Sequence, residues 1–490
     1  MPASSLTRYR KYYVPVILVV FAVLTALGLA RHEMWGDELQ AWSLSRASKT
    51  PMDLYYNLRY EGNSGLWHMI LFFVSRITRD VIAIKILNFI FILAAVFVLL
   101  RYAKFHIGFK VLIVFGYFFI YEYGVISRHY ALTLFLAFLS CALFKDKERH
   151  PLFYNFVLAL LAFTSPYGTI MSMGFIAATV SERFFKLKKE KLNLGYFVSL
   201  GIIVCLLAYV LALPPADGSY KMTRSYFDLK LLKQSVSFVW NSFIPIPSIR
   251  TILWNSNFLG NLDAKFFLSI VIVLICAAIL FRSKIGLTYF LFVAFCLVLF
   301  SYVNFSGALR HQGHIYIAFI CAIWLGHESV FGGVNKSLSF LRGTFLLLLF
   351  AGQIYAGAKL WLTDYSRVFY YASAAGDFIK ESNLSSYYLI GDSDVGPMDV
   401  AMYLDKPMLV SKLNKKQLFV VYDNKRKSTD PSEERLFTRA WERYEDGNKD
   451  ILLLTTYPIH TSTNPAELLV SFNDSMAVKR GLFIYKYLVN

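Results

Sequence analysis

VPVILVVFAVLTALGLARHEMWGDELQAW, Val14 to Trp42, joins an unbroken apolar run to a basic step and then to adjacent carboxylates, Asp37 and Glu38, framed by Trp35 and Trp42. The run Val14 to Ala30 is long enough to cross a bilayer as a helix. Arg8, Arg10 and Lys11 precede it, and no small-residue cleavage site comes before Arg31 and His32, so it reads as a retained signal anchor with a cytoplasmic N-terminus. The acidic pair then falls just outside the membrane. Two carboxylates there are costly without partners or a task, which makes this the first place to look for chemistry.

The rest of the chain supports a membrane-spanning fold. Its 490 residues are 57% hydrophobic and 17% aromatic, and the mean hydropathy is +0.49, too apolar for a soluble globular protein. Further apolar spans are expected at Val81 to Leu100, Val111 to Val125, Tyr130 to Phe144, Leu152 to Phe163, Thr169 to Val180, Leu194 to Leu213, Phe266 to Phe281, Ile285 to Val303, Ile315 to Val330 and Thr344 to Leu362. With the first, these make about eleven transmembrane helices. Leu66 to Val74 is too short to cross and is expected to be a re-entrant or surface helix within an outer loop, residues 31–80.

The net charge of +18 does not point to nucleic acid, because the basic residues sit in short clusters between spans. The clusters Arg101/Lys104/Lys110, Lys145 to Arg149, Arg183 to Lys191, Arg282/Lys284 and Lys336/Arg342 fit cytoplasmic loops, leaving the C-terminus outside. A second outer loop, residues 214–265, fits less well, for it carries Lys221, Arg224, Lys230, Lys233, Arg250 and Lys265. All five cysteines fall inside apolar spans without metal-ligand spacing, so they read as packing residues.

Residues 1–363 thus form a transmembrane domain, and residues 364–490 form a soluble extracytoplasmic α/β domain. In that domain Tyr387 to Asp392, Leu418 to Asp423, Ile451 to Tyr457 and Leu482 to Val489 read as strands. Ala372 to Lys380, Asp399 to Leu404 and Pro431 to Asp446 read as helices, the last opened by Ser428, Thr429 and Asp430. The phrase GDSDVGPMDV has no spaced glycine set of the dinucleotide-binding kind.

Several ionisable residues converge on the outer surface in this topology: Asp37 and Glu38, Glu61 with His68, Glu122 with Arg128 and His129, and Arg310 with His311 and His314. Transfer of a sugar to a hydroxyl needs a group that accepts the hydroxyl proton, and Asp37 suits that role. Glu38 would orient it, bind a divalent ion, or raise its pKa by like-charge repulsion; the bland alternative is that Gly36 and Asp37 cap the helix ELQAWSLSRA. Arg128 and Arg310 stand on the side where positive charge is disfavoured, so each calls for an anionic partner such as a lipid-linked phosphate, unless they simply reach lipid headgroups. His68, His129, His311 and His314 suit hydrogen bonds to phosphate or sugar, or purely structural ones. Glu122 would pair with Arg128 or join a metal site, and HQGH offers no third zinc ligand.

At WGDELQAWSLSR, YEGNSGLWHMILFF and EYGVISRHYAL the chain resembles the large membrane glycosyltransferases of the GT-C fold, among them protein O-mannosyltransferases, aminoarabinose transferases and Rgt-type transferases. The resemblance covers the N-terminal third. It implies that the acidic residue of the first outer loop, Asp37, acts in catalysis with Glu38 beside it, and that Arg128 and Tyr130 belong to the site. A common form of the third block has a carboxylate two residues before the arginine, where this chain has Ile126; Glu122 lies one turn earlier. The resemblance further implies a polyprenyl-phosphate sugar donor.

The expected activity is therefore inverting transfer of a sugar from a polyprenyl-phosphate carrier to an extracytoplasmic glycan, lipid or protein, at the cytoplasmic (inner) membrane. Asp37 is the expected base. Arg128, Arg310, His129, His311, Glu61 and His68 are the expected substrate contacts, and Trp35, Trp42, Trp67 and Tyr130 supply aromatic surface. A divalent cation, magnesium or manganese, would sit on Glu38 and Glu122. The competing classes are a transporter or flippase of lipid-linked glycans, which should show matching halves with interrupted helices, and a non-catalytic assembly protein.

Overall fold

Among the described residues of the computed structural model, six helices have the length and apolarity to cross a membrane: Tyr13–Arg31, Ile82–Tyr102, Leu194–Ala212, Leu262–Leu280, Lys284–Val303 and Ser339–Ser366. The structure describes residues 3–185, 194–219, 227–248, 254–332, 336–427, 430–448, 450–460, 464–473 and 475–488. Lys186 to Lys191 of one basic cluster, Lys221, Arg224 and Arg250 of the long loop, Ser428 and Thr429, and Val489 lie outside them. The chain is a mostly helical, multi-pass membrane protein with a small C-terminal sheet.

The expectation of about eleven spans is not met, for reasons of length and continuity. Tyr130–Leu143 has 14 residues, Pro151–Ala162 has 12 and Leu309–Leu325 has 17. At 1.5 Å per residue the first reaches only about 21 Å, short of the roughly 30 Å hydrocarbon core. Val111 to Val125 is broken: one helix is Ile107–Val114, and a π-helical turn follows at Phe118–Glu122. Pro166–Phe184 is a helix of 19 residues diluted by Thr169, Ser172, Ser181, Glu182 and Arg183. The apolar residues of Tyr130–Leu143 and Leu309–Leu325 are largely buried within the protein, so hydrophobicity there reports protein core as much as lipid contact, whereas Pro151–Ala162 leaves Leu152, Phe153 and Phe156 exposed.

The helices give the molecule two chemically distinct ends. Ile82–Tyr102 starts beside His32, whose carbonyl accepts Lys85 Nζ at 2.6 Å, and ends near Lys104, which pairs with Glu328 at 2.8 Å. Tyr130–Leu143 runs from Arg128 to Lys145, which meets the same Glu328 at 2.8 Å. Basic residues of separate connections thus gather at one end. The opposite end carries the acidic pair and the C-terminal domain.

Residues 31–80 fold into three short helices, Gly36–Ala47, Pro51–Leu58 and Leu66–Val74. Pro51 supplies a preset first turn, and Thr50 and Asp53 cap each other, with Thr50 Oγ1 accepting Asp53 N–H at 3.1 Å and Asp53 Oδ2 accepting Thr50 N–H at 3.0 Å. Arg76 closes the segment by donating to the Ser48 carbonyl at 2.6 Å.

The C-terminal sheet contains β1 (Tyr388–Gly391), β2 (Met408–Val410), β3 (Lys415–Gln417), β4 (Ile451–Thr455), β5 (Ala466–Phe472) and β6 (Leu482–Tyr487), in spatial order β3-β2-β1-β4-β6-β5. β1 is parallel to β2 and β4, and the other pairings are antiparallel. The expected helices occur at Ala372–Glu381, Pro397–Tyr403 and Glu433–Glu445. Ser432 caps the last, not the residues before Pro431. Leu418 to Asp423 is not a strand. Its backbone is claimed by the helix Gly36–Ala47: Gln40 Nε2 donates to Val420 O at 2.7 Å, Val420 N donates to Gln40 Oε1 at 2.9 Å, and Ser43 Oγ donates to Leu418 O at 2.7 Å. These bonds seat the domain on the 31–80 segment.

Candidate functional site

Asp37 stands in the first turn of Gly36–Ala47, at the mouth of a cavity of about 420 Å³. Its Oδ2 accepts Arg128 and also Arg310 Nη2 at 3.1 Å, so three distant pieces of sequence meet on one carboxylate oxygen. Arg310 begins the helix Leu309–Leu325 and lies over the rings of Trp35 (4.9 Å) and Trp254 (5.7 Å), which pack edge to face at 4.7 Å. That stacking fixes the guanidinium while its polar edge faces the carboxylate. Gly36 allows a close approach, since a Cβ there would stand 3.0 Å from Asp399 Oδ1 and that side chain would have to give.

Arg128 follows irregular backbone after the π-turn. Gly124 is needed there, since a Cβ would stand 2.3 Å from Phe119 O. Asn88, buried in Ile82–Tyr102, donates to the carbonyls of Tyr123 at 3.1 Å and Gly124 at 3.0 Å, which satisfies backbone that no helix ladder pairs. The π-turn also decides the role of Glu122. Its Oε2 accepts Tyr117 Oη and, at 3.1 Å, Trp254 Nε1, so it braces the tryptophan under Arg310 and does not reach Asp37 or Arg128.

The acidic neighbours have opposite surroundings. Glu38 is fully buried and faces away from the cavity: Oε1 accepts Ser127 N–H at 2.5 Å, and Oε2 accepts Trp35 N–H at 3.1 Å and bonds His32 Nε2 at 3.0 Å. It is the capping carboxylate of Gly36–Ala47, a role the bland sequence alternative gave to Gly36 and Asp37. His32 continues to Asp364 through Nδ1 at 2.8 Å. Burial works against the imidazolium, but Asp364 and Glu38 outweigh it and raise His32 to about 10.

Six of the expected site residues line the cavity: Asp37, Glu61, Arg128, His129, Arg310 and His311. Glu61 accepts Gln40 Nε2 at 2.7 Å, and burial pushes its carboxyl up to about 7 against the lowering pull of Gln40 and Arg128. The ring of His311 stacks on Tyr167 at 5.2 Å. Trp35 lies behind Arg310, whereas Trp42, Trp67, His68 and Tyr130 are buried in the supporting layer. Burial and the nearby Arg128 charge drive His68 down to about 3, so it is a neutral group there. Glu38 and Glu122 have separate partners, and among the described residues no three His, Cys, Asp or Glu side chains converge as metal ligands.

The sequence left out Gln40, Tyr167, Asn304 and Tyr422, all in the cavity wall. Gln40 was within reach, one helical turn after Asp37 on the same face. Tyr422 was not, since it comes from the C-terminal domain. Part of the cavity lining is apolar: Tyr209, Ala212 and Leu213 at the end of the membrane helix Leu194–Ala212, and Phe300 near the end of Lys284–Val303. One chamber thus joins a charged cluster to the ends of membrane helices. The chain matches no protein-family model, no curated protein and no solved structure.

Proposed function

We propose that the protein is a glycosyltransferase of GT-C type, moving a sugar from a polyprenyl-phosphate donor to a hydroxyl-bearing acceptor on the extracytoplasmic side of the cytoplasmic membrane. The observation that carries this reading is the cavity, whose lining combines the cluster of Asp37, Arg128 and Arg310 with Tyr209, Leu213 and Phe300 from the ends of membrane helices. A lipid-linked phosphate needs both halves: guanidinium forks for the anion and an apolar wall at membrane level for the chain.

The donor phosphate engages further N–H groups of Arg128 and Arg310, while Asp37 stays between the two guanidiniums as their counter-charge. As the bond from the anomeric carbon to the phosphate oxygen breaks, charge grows on the leaving phosphate, and the same guanidiniums stabilise it more strongly than in the ground state. The acceptor oxygen attacks from the opposite face, which inverts the anomeric configuration. A carboxylate takes its proton. The sequence nominates Asp37, and the cavity also presents Glu61. The basic end, with Lys104 and Lys145 around Glu328, fits the cytoplasmic side by the positive-inside rule, which supports an extracytoplasmic cavity and C-terminal domain.

The test is a transfer assay in liposomes with radiolabelled polyprenyl-phosphate sugars and cell-envelope acceptors. Arg128→Ala and Arg310→Ala should each lower kcat/KM by about 100-fold or more, and Asp37→Asn should do so with the fold retained. Wild-type protein that transfers from no donor of this class, or arginine variants that match it, would end the proposal. The transporter alternative draws no support from the fold, since the acidic cluster lies at the helix ends.

A further inference from the structure

We propose that Glu61, not Asp37, takes the acceptor's proton, and that the C-terminal domain holds it in place through Gln40; this rests on the transferase reading above. The two cavity carboxylates differ in what occupies their oxygens. Asp37 Oδ2 receives both guanidiniums. Adding a proton there would leave Arg128 and Arg310 facing each other without their counter-charge while the leaving phosphate still needs them in register. Glu61 has no such commitment: Oε1 accepts a single neutral donor, Gln40 Nε2 at 2.7 Å, and Oε2 carries no hydrogen bond among the described residues.

Gln40 is locked from the other side. Val420 N–H donates to its Oε1 at 2.9 Å, which settles the amide orientation and turns Nε2 toward both Val420 O and Glu61. The backbone that does this belongs to Leu418 to Asp423, the segment kept out of the sheet. A soluble domain at the far end of the chain thereby fixes a carboxylate in the first loop, and its Tyr422 closes the cavity wall beside it.

The charged groups facing Glu61 are Asp37 from the helix Gly36–Ala47, Arg128 from the turn before Tyr130, and Arg426 from the C-terminal domain. The arginines pull its pKa down and Asp37 pushes it up, with burial the largest influence, and the outcome near 7 suits a group that accepts a proton at physiological pH. In the step itself the acceptor oxygen bonds to the anomeric carbon, and the bond from that carbon to the phosphate oxygen breaks. Its electron pair leaves with the polyprenyl phosphate, and the hydroxyl proton passes to Glu61 Oε2.

The experiment is the pH dependence of kcat in the liposome assay for wild type, Glu61→Gln, Asp37→Asn and Gln40→Ala, each checked for folding by thermal unfolding. Wild type should show an acid limb near 7. Glu61→Gln should lose at least about 100-fold in kcat, and the limb with it, while donor KM stays within about threefold. Asp37→Asn should keep the limb on its residual activity. Gln40→Ala removes a hydrogen bond to the ionised carboxylate, so its limb should move to higher pH. A limb retained in Glu61→Gln, or lost in Asp37→Asn, overturns this assignment and returns the role to Asp37, with the transferase reading intact. A wild type inactive with every polyprenyl-phosphate sugar takes down both.

Discussion

Asp37 and Glu38 are neighbours in sequence and opposites in structure. Asp37 opens onto a cavity and binds two arginines from other parts of the chain through one oxygen, the other carrying no hydrogen bond among the described residues. Glu38 is sealed, with hydrogen bonds on both oxygens and His32 bridging it to Asp364. Both are charged clusters beside a membrane. The open one turns its groups toward a cavity that a ligand can enter, whereas the closed one ties structure together: Glu38 accepts the backbone N–H groups of Ser127 and Trp35, and His32 links it to Asp364 in the Ser339–Ser366 helix. An open cluster supports chemistry and a closed one positions it, here by fixing Ser127 immediately before Arg128.

The contrast predicts opposite consequences for alanine at adjacent positions. Glu38→Ala leaves a buried imidazolium with one counter-charge and frees two backbone N–H groups, and it should destabilise the protein by about 3–5 kcal/mol. Asp37→Ala leaves Arg128 and Arg310 without their counter-charge but facing a cavity rather than sealed core, so it should cost less stability, about 1–2 kcal/mol, while nearly abolishing transfer. Thermal unfolding in detergent together with the transfer assay separates the two. Equal losses of stability would break the comparison.

A pH titration sharpens it further. The His32 pKa rises on folding from 6.5 to about 10, so the folded state binds its proton more tightly. The stabilisation from the Glu38–His32–Asp364 cluster is then complete below the unfolded value and is lost as pH rises through the folded one. Between pH 7 and 10 the unfolding midpoint should fall steadily, by the equivalent of about 3 kcal/mol, and His32→Gln should remove most of that slope. A slope unchanged in His32→Gln would place the titration elsewhere.

The sequence made the fold class readable because apolar runs and basic punctuation depend on local composition. It overcounted spans because a helix buried among other helices is as apolar as one facing lipid, so Tyr130–Leu143 carried no mark of its short length, and Pro151–Ala162 is apolar enough to read as a span yet only 12 residues long. The cavity residues Asp37, Arg128 and Arg310 were legible as charges in places that disfavour charge. Glu38 and Glu122 carried the same signal and turned out to brace backbone and rings, a difference that only the direction of the side chain reveals. Leu418 to Asp423 looked like a strand because its pattern is one; its partner, Gln40, lies hundreds of residues away, and pairing of that kind leaves no trace in the segment itself.

Asn88 gives the smallest and most specific test of the rule that closed polar groups hold the open site in place. It sits fully buried in a membrane helix and donates both amide hydrogens to the Tyr123 and Gly124 carbonyls, where the chain leaves the π-turn and heads for Arg128. Asn88→Ala strands two carbonyls in an apolar surrounding and should cost about 1–3 kcal/mol of stability. Asn88→Asp keeps the shape but removes both donors, so it should fail at least as badly, which separates hydrogen bonding from packing. If the segment serves only to connect helices, surviving activity in either variant will have an unchanged donor KM. If it aims Arg128, KM should rise several-fold in the folded fraction while the acid limb of the pH profile stays where it was, because Glu61 and Gln40 are held from the other side of the cavity by the C-terminal domain.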